Sequence, residues 1–314
     1  KIWFYRRKIM KKRFILIIAV LLLAACAGVL AACAGIDHLP DWAFNELREQ
    51  DNTRAEGADV RAMSVNVLVH MESWGGTPVY PRVQVMEEFT RHYAPDVIAL
   101  QEMCSDWYKY FPERMEDTYA LVHDKSIKTN LMYDKNKLTL IDCGVEEYSR
   151  RDNSGCRAVA WGVFEIKESG RRFAATSTHF DLGTEDYKVE YRTTQIAELA
   201  ERINAITAQY GVPVIAMGDY NVLVGEDYGA GSNYSDLLEV TGTKDARLDY
   251  IDSIEKAYDE QYVEEHKDGL WDHILVKGEI TPLKFFIITS PFFDCENPED
   301  SMTDHYPHIL DAAL

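Results

Sequence analysis

The chain is 314 residues long, 46% hydrophobic and 27% charged, a balance that can bury a full core and excludes a disordered or fibrous protein. It carries 33 Lys and Arg against 52 Asp and Glu, a net charge of −19, but residues 1–33 hold seven of the bases and no acid, so residues 34–314 stand at −26. An acidic body argues against a sequence-independent nucleic-acid coat, because such proteins neutralise many phosphates with Lys and Arg. It leaves room for an enzyme that meets a single phosphate through a metal ion.

Residues 1–13 (KIWFYRRKIMKKR) are basic, and Phe14 to Ala25 is an unbroken apolar run. A charged start, an apolar stretch and small residues before a break describe a bacterial secretory signal, with Met10 as its natural start. Small residues precede a cysteine twice, at Leu23-Ala24-Ala25-Cys26 and Leu30-Ala31-Ala32-Cys33. Both resemble the lipobox of bacterial lipoproteins, in which the cysteine is lipidated and becomes the new N-terminus. The alternative is an uncleaved signal anchor, since Phe14 to Gly35 spans 22 residues, enough to cross a bilayer. Either route implies an exported, membrane-tethered protein, periplasmic or on the cell surface. Export permits disulfides among Cys104, Cys143, Cys156 and Cys295. Cys143 and Cys156 flank a turn-rich stretch and could bridge adjacent strands, or all four could be free thiols.

Residues 34–60 are polar, without a clear apolar period, and read as a tether or irregular lead-in. From Arg61 to the C-terminus strand-like and helix-like segments alternate, with no Pro/Gly-rich linker to divide them. Strands are expected at 61–70, 96–101, 129–133, 157–167, 172–180, 213–218, 271–276 and 283–289. A helix over 81–93 carries Val85, Met86 and Phe89. A longer one over 186–209 places Ile196, Leu199, Ala200, Ile203 and Ile206 on one face. Mixed strands covered by helices imply one layered α/β domain.

Polar residues recur at the ends of the apolar strands. Asn66 lies inside VNVLV, Glu102 ends DVIALQE, His179 ends AATSTH, and Asp219 and Asn221 end VIAMGDYN. Asp272 and His273 interrupt LWDHILV, and Asp304 with His305 precedes YPHIL. Taken singly, each has an ordinary reading: a satisfied core amide, a solvated turn carboxylate, an Asx turn at GDYN, a structural histidine. Six such placements together point to one converging site, because strand ends are where a rigid scaffold holds chemical groups.

The ordered set Asn66, Leu100-Gln101-Glu102, Thr178-His179, Gly218-Asp219-Tyr220-Asn221, Asp272-His273-Ile274 and Thr303-Asp304-His305 resembles the endonuclease/exonuclease/phosphatase superfamily. Arg157 opening a strand, and Arg192 with Gln195 on the helix after the histidine, fit as well. The resemblance runs from about Arg61 to the C-terminus and implies a four-layered α/β sandwich, two mixed sheets face to face with helices outside. It also implies hydrolysis of phosphoester bonds. Thr303 stands where serine is usual, and Tyr220 where phenylalanine is commoner.

Such a reaction needs a cation, an in-line water and a proton donor for the leaving oxygen. On this resemblance Glu102 is the main metal ligand, with Asn66 and Asp304 completing the protein side. These are hard oxygen donors that suit Mg²⁺ or Mn²⁺, and no Cys/His cluster has zinc spacing. Asp219 would orient or deprotonate water, and Asn221 would donate to a phosphoryl oxygen. His305 would contact the phosphate with Asp272 fixing its tautomer, and His179 would donate to the ester. Arg157 is a phosphate contact or a structural ion pair. His273 is expected to face away, since alternate strand residues point to opposite faces.

The substrate is open, because loops vary on a shared fold. The acidity of the body and the lack of basic runs disfavour extended nucleic acid. Phe292 and Phe293 precede four acids within 294–300, a poor membrane wedge, whereas the Gly- and Tyr-rich loop 223–235 suits stacking of a sugar or base. The expectation is an exported phosphodiesterase or phosphomonoesterase of a small or scavenged substrate, with an exported nuclease or a sphingomyelinase-like phospholipid hydrolase as alternatives. A catalytically idle binding lipoprotein would be expected to have lost Glu102, Asp219 or His305, and all three are intact.

Overall fold

In the computed structural model the described residues are 41–69, 78–124, 127–152, 157–223, 234–254, 271–288 and 302–314. The chain divides into two units, residues 1–45 and 46–314, and only the opening of helix α1 (Asp41–Glu49) is described in the first. The second unit is built on two six-stranded sheets. One has the order β11 (Thr281–Ile287), β12 (His308–Ala313), β1 (Val60–Asn66), β2 (Val97–Gln101), β4 (Thr129–Asp134), β3 (Tyr119–Leu121). The other has the order β5 (Leu138–Glu147), β6 (Ala158–Ile166), β7 (Arg172–His179), β8 (Val214–Asp219), β10 (Asp272–Lys277), β9 (Lys244–Asp245). These are the two mixed sheets of the expected α/β sandwich.

Each sheet contains one parallel pair, β1 with β2 and β7 with β8, and the remaining pairs are antiparallel. A parallel pair needs a crossover, and here each crossover is a helix: α2 (Val79–Tyr93) and α4 (Asp186–Tyr210). The two βαβ units therefore bring the C-terminal ends of four strands to the site. Shorter helices α3 (Ser105–Met115), α5 (Tyr234–Thr241) and α6 (Ala246–Ile254) complete the described elements.

Between the sheets, Ala62, Ala99 and Leu310 of the first sheet share one buried cluster with Phe164, Phe173 and Met217 of the second. On the outer face of the second sheet, Ile196, Leu199, Ile203 and Ile206 of α4 pack on Ala174, Val214 and Ala216. Each fully buried aliphatic or aromatic side chain contributes about 1.5–3 kcal/mol relative to exposure.

Four differences from the sequence reading stand out. Strand β12 has no clear apolar pattern because Asp311 sits in it, fully buried. Its two oxygens take the Nε and Nη2 of buried Arg61 at 2.6 and 2.7 Å, so an acid at a core position is matched from β1. Helix α3 contains Pro112, and edge strand β5 is largely solvent-facing. Residues 46–59, read as part of a tether or irregular lead-in, are tied into the domain. Leu47 is buried, the Ala55 N–H donates to Asp311 Oδ2 at 2.8 Å, and Arg54 pairs with Asp96 at 2.7 Å. Cys104 and Cys143 are free thiols, while Cys156 and Cys295 lie outside the described residues.

Candidate active site

Strand register assembles the site. Asn66 is paired with Gln101 across β1 and β2, so Glu102 follows one residue beyond. His179 is paired with Asp219 across β7 and β8, and Asp272, opening β10, is paired with Asp219 from the other side. The sheets are tied at this level where the Gln101 Nε2 donates to Ser177 Oγ at 2.9 Å. Leaving the strands requires sharp turns, and Leu68, Glu102 and Asn221 adopt the left-handed backbone at φ 55°, 61° and 51°. Such non-glycine residues are uncommon, and their gathering at strand ends marks a place where structure over-determines the backbone.

Asp219 is the centre. Its Oδ2 lies 3.0 Å from the Asn66 Nδ2, 3.2 Å from the His179 Nε2 and 3.8 Å from the His305 Nε2, and its Oδ1 accepts the Asn221 N–H at 3.0 Å. Burial pushes this carboxyl upward, but the two imidazoles, with Arg157 further off, hold it well below the usual carboxylate range. The same Asn66 amide reaches the Glu102 Oε1 at 3.3 Å, while the Val69 N–H donates to Oε2 at 3.1 Å. Burial opposes ionisation of Glu102 too, and His179, these donors and His305 outweigh it, so Glu102 stays charged.

His305 stands against Asp272, Nδ1 to Oδ2 at 2.6 Å, with Asp304 Oδ1 3.9 Å from its Nε2. Burial disfavours the imidazolium, but Asp272 and Asp219 raise its pKa well above 6.5. Burial also raises Asp272, whose Oδ1 is buried without a hydrogen-bond partner. One proton serves the pair, and it rests on His305, which faces three carboxylates at once. Thr303 fastens this segment: its Oγ1 donates to the Asn66 carbonyl at 2.6 Å and accepts the His305 N–H at 3.3 Å.

The structure thus brings Asn66, Glu102, His179, Asp219, Asp272, Asp304 and His305 together from six separate stretches of chain. Asn221 is beside them with its amide turned to the Phe180 carbonyl at 2.9 Å. The Asn66 amide oxygen accepts the Leu68 N–H at 3.0 Å, so its nitrogen, not its oxygen, faces the carboxylates. Arg157 points toward buried Asp181 at 3.7 Å, within a cluster where Gln195 and Lys188 also bind Asp181. Arg192 binds the Asp181 and Gly183 carbonyls there. His273 faces away, bonded to the Val222 carbonyl at 2.8 Å and 3.4 Å from Asp245. Loop residues 224–233, Phe292, Phe293, Cys26 and Cys33 lie outside the described residues.

Sequence reasoning missed Arg82. It lies on the buried stripe of α2 with Val79, Val83, Met86 and Phe89, and a charge on an apolar stripe was the available signal.

The donor chemistry fits a hard divalent cation. Glu102, Asp219, Asp272 and Asp304 gather four carboxylates around two imidazoles, a set of hard oxygen donors. Asp219, Asp272 and His305 also have ligand atoms within 4.8 Å of one another. A ligating imidazole must be neutral, however, and His305 is held charged.

A fold of two mixed sheets with carboxylates, amides and imidazoles at the parallel strand ends defines a phosphoesterase scaffold. Residues 63–305 match the model of the Endonuclease/Exonuclease/phosphatase family, and the chain belongs to that family, whose members hydrolyse phosphoester bonds and are generally divalent-metal dependent. No curated protein matches it in sequence. Among solved structures it is similar to a mannosyl-6-phosphatase of Bacteroides thetaiotaomicron, with a TM-score of 0.63 and 16% identity over 82% of this chain and 100% of the other. It is also similar to the human Nocturnin catalytic domain with bound sulfate, with a TM-score of 0.60 and 17% identity over 83% and 95%. A third is D. rerio TDP2 complexed with single-strand DNA product, with a TM-score of 0.59 and 16% identity over 81% and 99%.

Proposed function

We propose that this protein is a Mg²⁺- or Mn²⁺-dependent hydrolase of small phosphoesters, mono- or diesters, working outside the cytoplasm. The observation that carries the reading is Asp219, ionised, buried and surrounded by the Asn66 amide and two imidazoles. Glu102 and Asp304 would hold the cation, and Asn66 keeps Glu102 and Asp219 in fixed relation to each other. When bound, the cation neutralises charge on the phosphoryl oxygens. Asp219 orients water and accepts its proton. His305, charged by its contact with Asp272, binds a phosphoryl oxygen, and His179 donates to the leaving oxygen. Arg157, facing Asp181 at the edge of the site, would add a phosphate contact.

Two observations favour a small substrate. The −26 charge of residues 34–314 repels long polyanions, and one structurally similar protein is a mannosyl-6-phosphatase. Export and tethering rest on the basic start, the apolar run and the small residues before Cys26 and Cys33. Labelled palmitate should enter the protein and be lost on Cys26→Ser or Cys33→Ser. The substrate reading is tested by incubating purified protein and Mg²⁺ or Mn²⁺ with sugar phosphates, nucleotides, inositol phosphates, sphingomyelin, RNA and duplex DNA. Turnover concentrated on the small soluble esters supports it, and turnover confined to DNA or sphingomyelin overturns it.

A further inference from the structure

Arg82 is buried to 1% exposure in α2, yet it is spent on backbone carbonyls of two segments far apart in sequence. Its Nη1 donates to the carbonyls of Val67 at 2.8 Å, Leu68 at 3.0 Å and Met302 at 3.3 Å, and its Nη2 to Val69 at 2.6 Å. The guanidinium carbon stands 5.5 Å from the centre of the Trp107 ring, and the Trp107 Nε1 donates to the Leu68 carbonyl at 2.9 Å. Residues 67–69 follow directly on Asn66, include left-handed Leu68, and end in the N–H that binds Glu102 Oε2. Met302 directly precedes Thr303, which bonds both the Asn66 carbonyl and the His305 N–H.

We propose that Arg82, backed by Trp107, is the positioning residue of this active site, clamping the turn that presents Glu102's hydrogen-bond donor to the segment that presents Asp304 and His305. The inference rests on the phosphoesterase reading for its kinetic half only. A planar fork with several donors suits the task, because one rigid group can fix carbonyls that point at it from different turns. Both segments lie beyond the extended strands, since β1 ends at Asn66 and β12 begins at His308. A shift of about 1 Å at either segment would cost roughly 10²-fold in rate without removing any reacting group.

The test compares Arg82→Lys and Trp107→Phe with the full-length wild-type protein. Lys keeps the charge but loses the fork, and Phe keeps the ring but loses the N–H. Three quantities are read on each: kcat and KM on the best substrate, Mn²⁺ affinity by calorimetry without substrate, and amide exchange over 67–69. Arg82→Lys should lose about 10- to 100-fold in kcat with KM nearly unchanged, and Mn²⁺ should bind about 10-fold more weakly. Trp107→Phe should shift the same way by a smaller factor, with faster exchange at Val69. Folded variants with wild-type kcat, Mn²⁺ affinity and exchange would overturn the proposal, as would a lower melting temperature with those three unchanged. If Arg82→Lys does not fold, Trp107→Phe decides by the same readings. A wild-type protein that binds Mn²⁺ but turns over no phosphoester would overturn the function alone, and the binding and exchange comparisons would still judge the clamp.

Discussion

Gly218 precedes Asp219 in β8, directly opposite Thr178 of β7. A Cβ placed there would lie 2.2 Å from the Thr178 carbonyl oxygen and 2.7 Å from its Cγ2. A relaxed carbon–oxygen contact is about 3.3 Å, so Gly218→Ala must part the two strands by about 1 Å. The nearest obstacle is backbone of the strand that carries His179, so no side-chain rotation can absorb the change. Gly218 also adopts φ +158°, which adds strain for any L side chain. Overpacking of this kind costs about 1–3 kcal/mol, or roughly 2–12 °C in Tm for a domain of this size. The same displacement separates His179 from Asp219, now 3.2 Å apart, and should lower kcat/KM by roughly 10²-fold. Scanning calorimetry and hydrolysis of bis-p-nitrophenyl phosphate check both effects. A Gly218→Ala protein with wild-type Tm and activity would refute the reasoning that strand proximity dictates this glycine.

Asp272→Asn removes the carboxylate that keeps His305 charged, so activity should fall roughly 10²-fold and the alkaline limb of the pH–rate profile should move to lower pH. Because the folded pKa of His305 is raised, its contribution to stability is complete below about 6.5 and disappears as pH rises through the folded value. Alkaline melting curves should therefore flatten in Asp272→Asn, and an unchanged pH dependence counts against the pair. His308 is buried and neutral, its pKa lowered to about 3, chiefly by burial and then by His273 and Arg247. Its contribution is complete above about 6.5 and lost as pH falls toward 3, on the order of 4–5 kcal/mol in all. His308→Gln should shift the acid-unfolding midpoint downward, and an identical midpoint would exclude this histidine as a cause. The Tyr220 hydroxyl is buried with no hydrogen bond among the described residues. Tyr220→Phe should accordingly leave stability equal or raise it by about 1 kcal/mol in denaturant titrations, with a clear loss contradicting the assignment.

The layered fold was legible because its central strands are apolar on both faces and α4 has a clean helical period. The candidate site residues stood out for the opposite reason, as polar interruptions at the ends of those strands. What stayed hidden depends on contacts between distant segments. Strand β12 carries Asp311, which makes sense only beside Arg61 from β1. Arg82 carries no motif, since it binds the carbonyls of 67–69 and Met302, and carbonyls have no signature in side-chain spelling. The amide orientation of Asn66, donating to two carboxylates, likewise emerges only once β1, β2 and β8 are assembled.

On the proposed function, the carboxylates around Asp219 and Glu102 serve a divalent cation in phosphoester hydrolysis. This role is tested most directly by assaying chelator-stripped protein on bis-p-nitrophenyl phosphate, then restoring Mg²⁺ or Mn²⁺, with Glu102→Ala and Asp219→Ala alongside. Hydrolysis should cease after stripping, return with either ion, and fail to return in the two variants. Full activity in chelator, or metal-restored activity in Glu102→Ala and Asp219→Ala, would contradict this role.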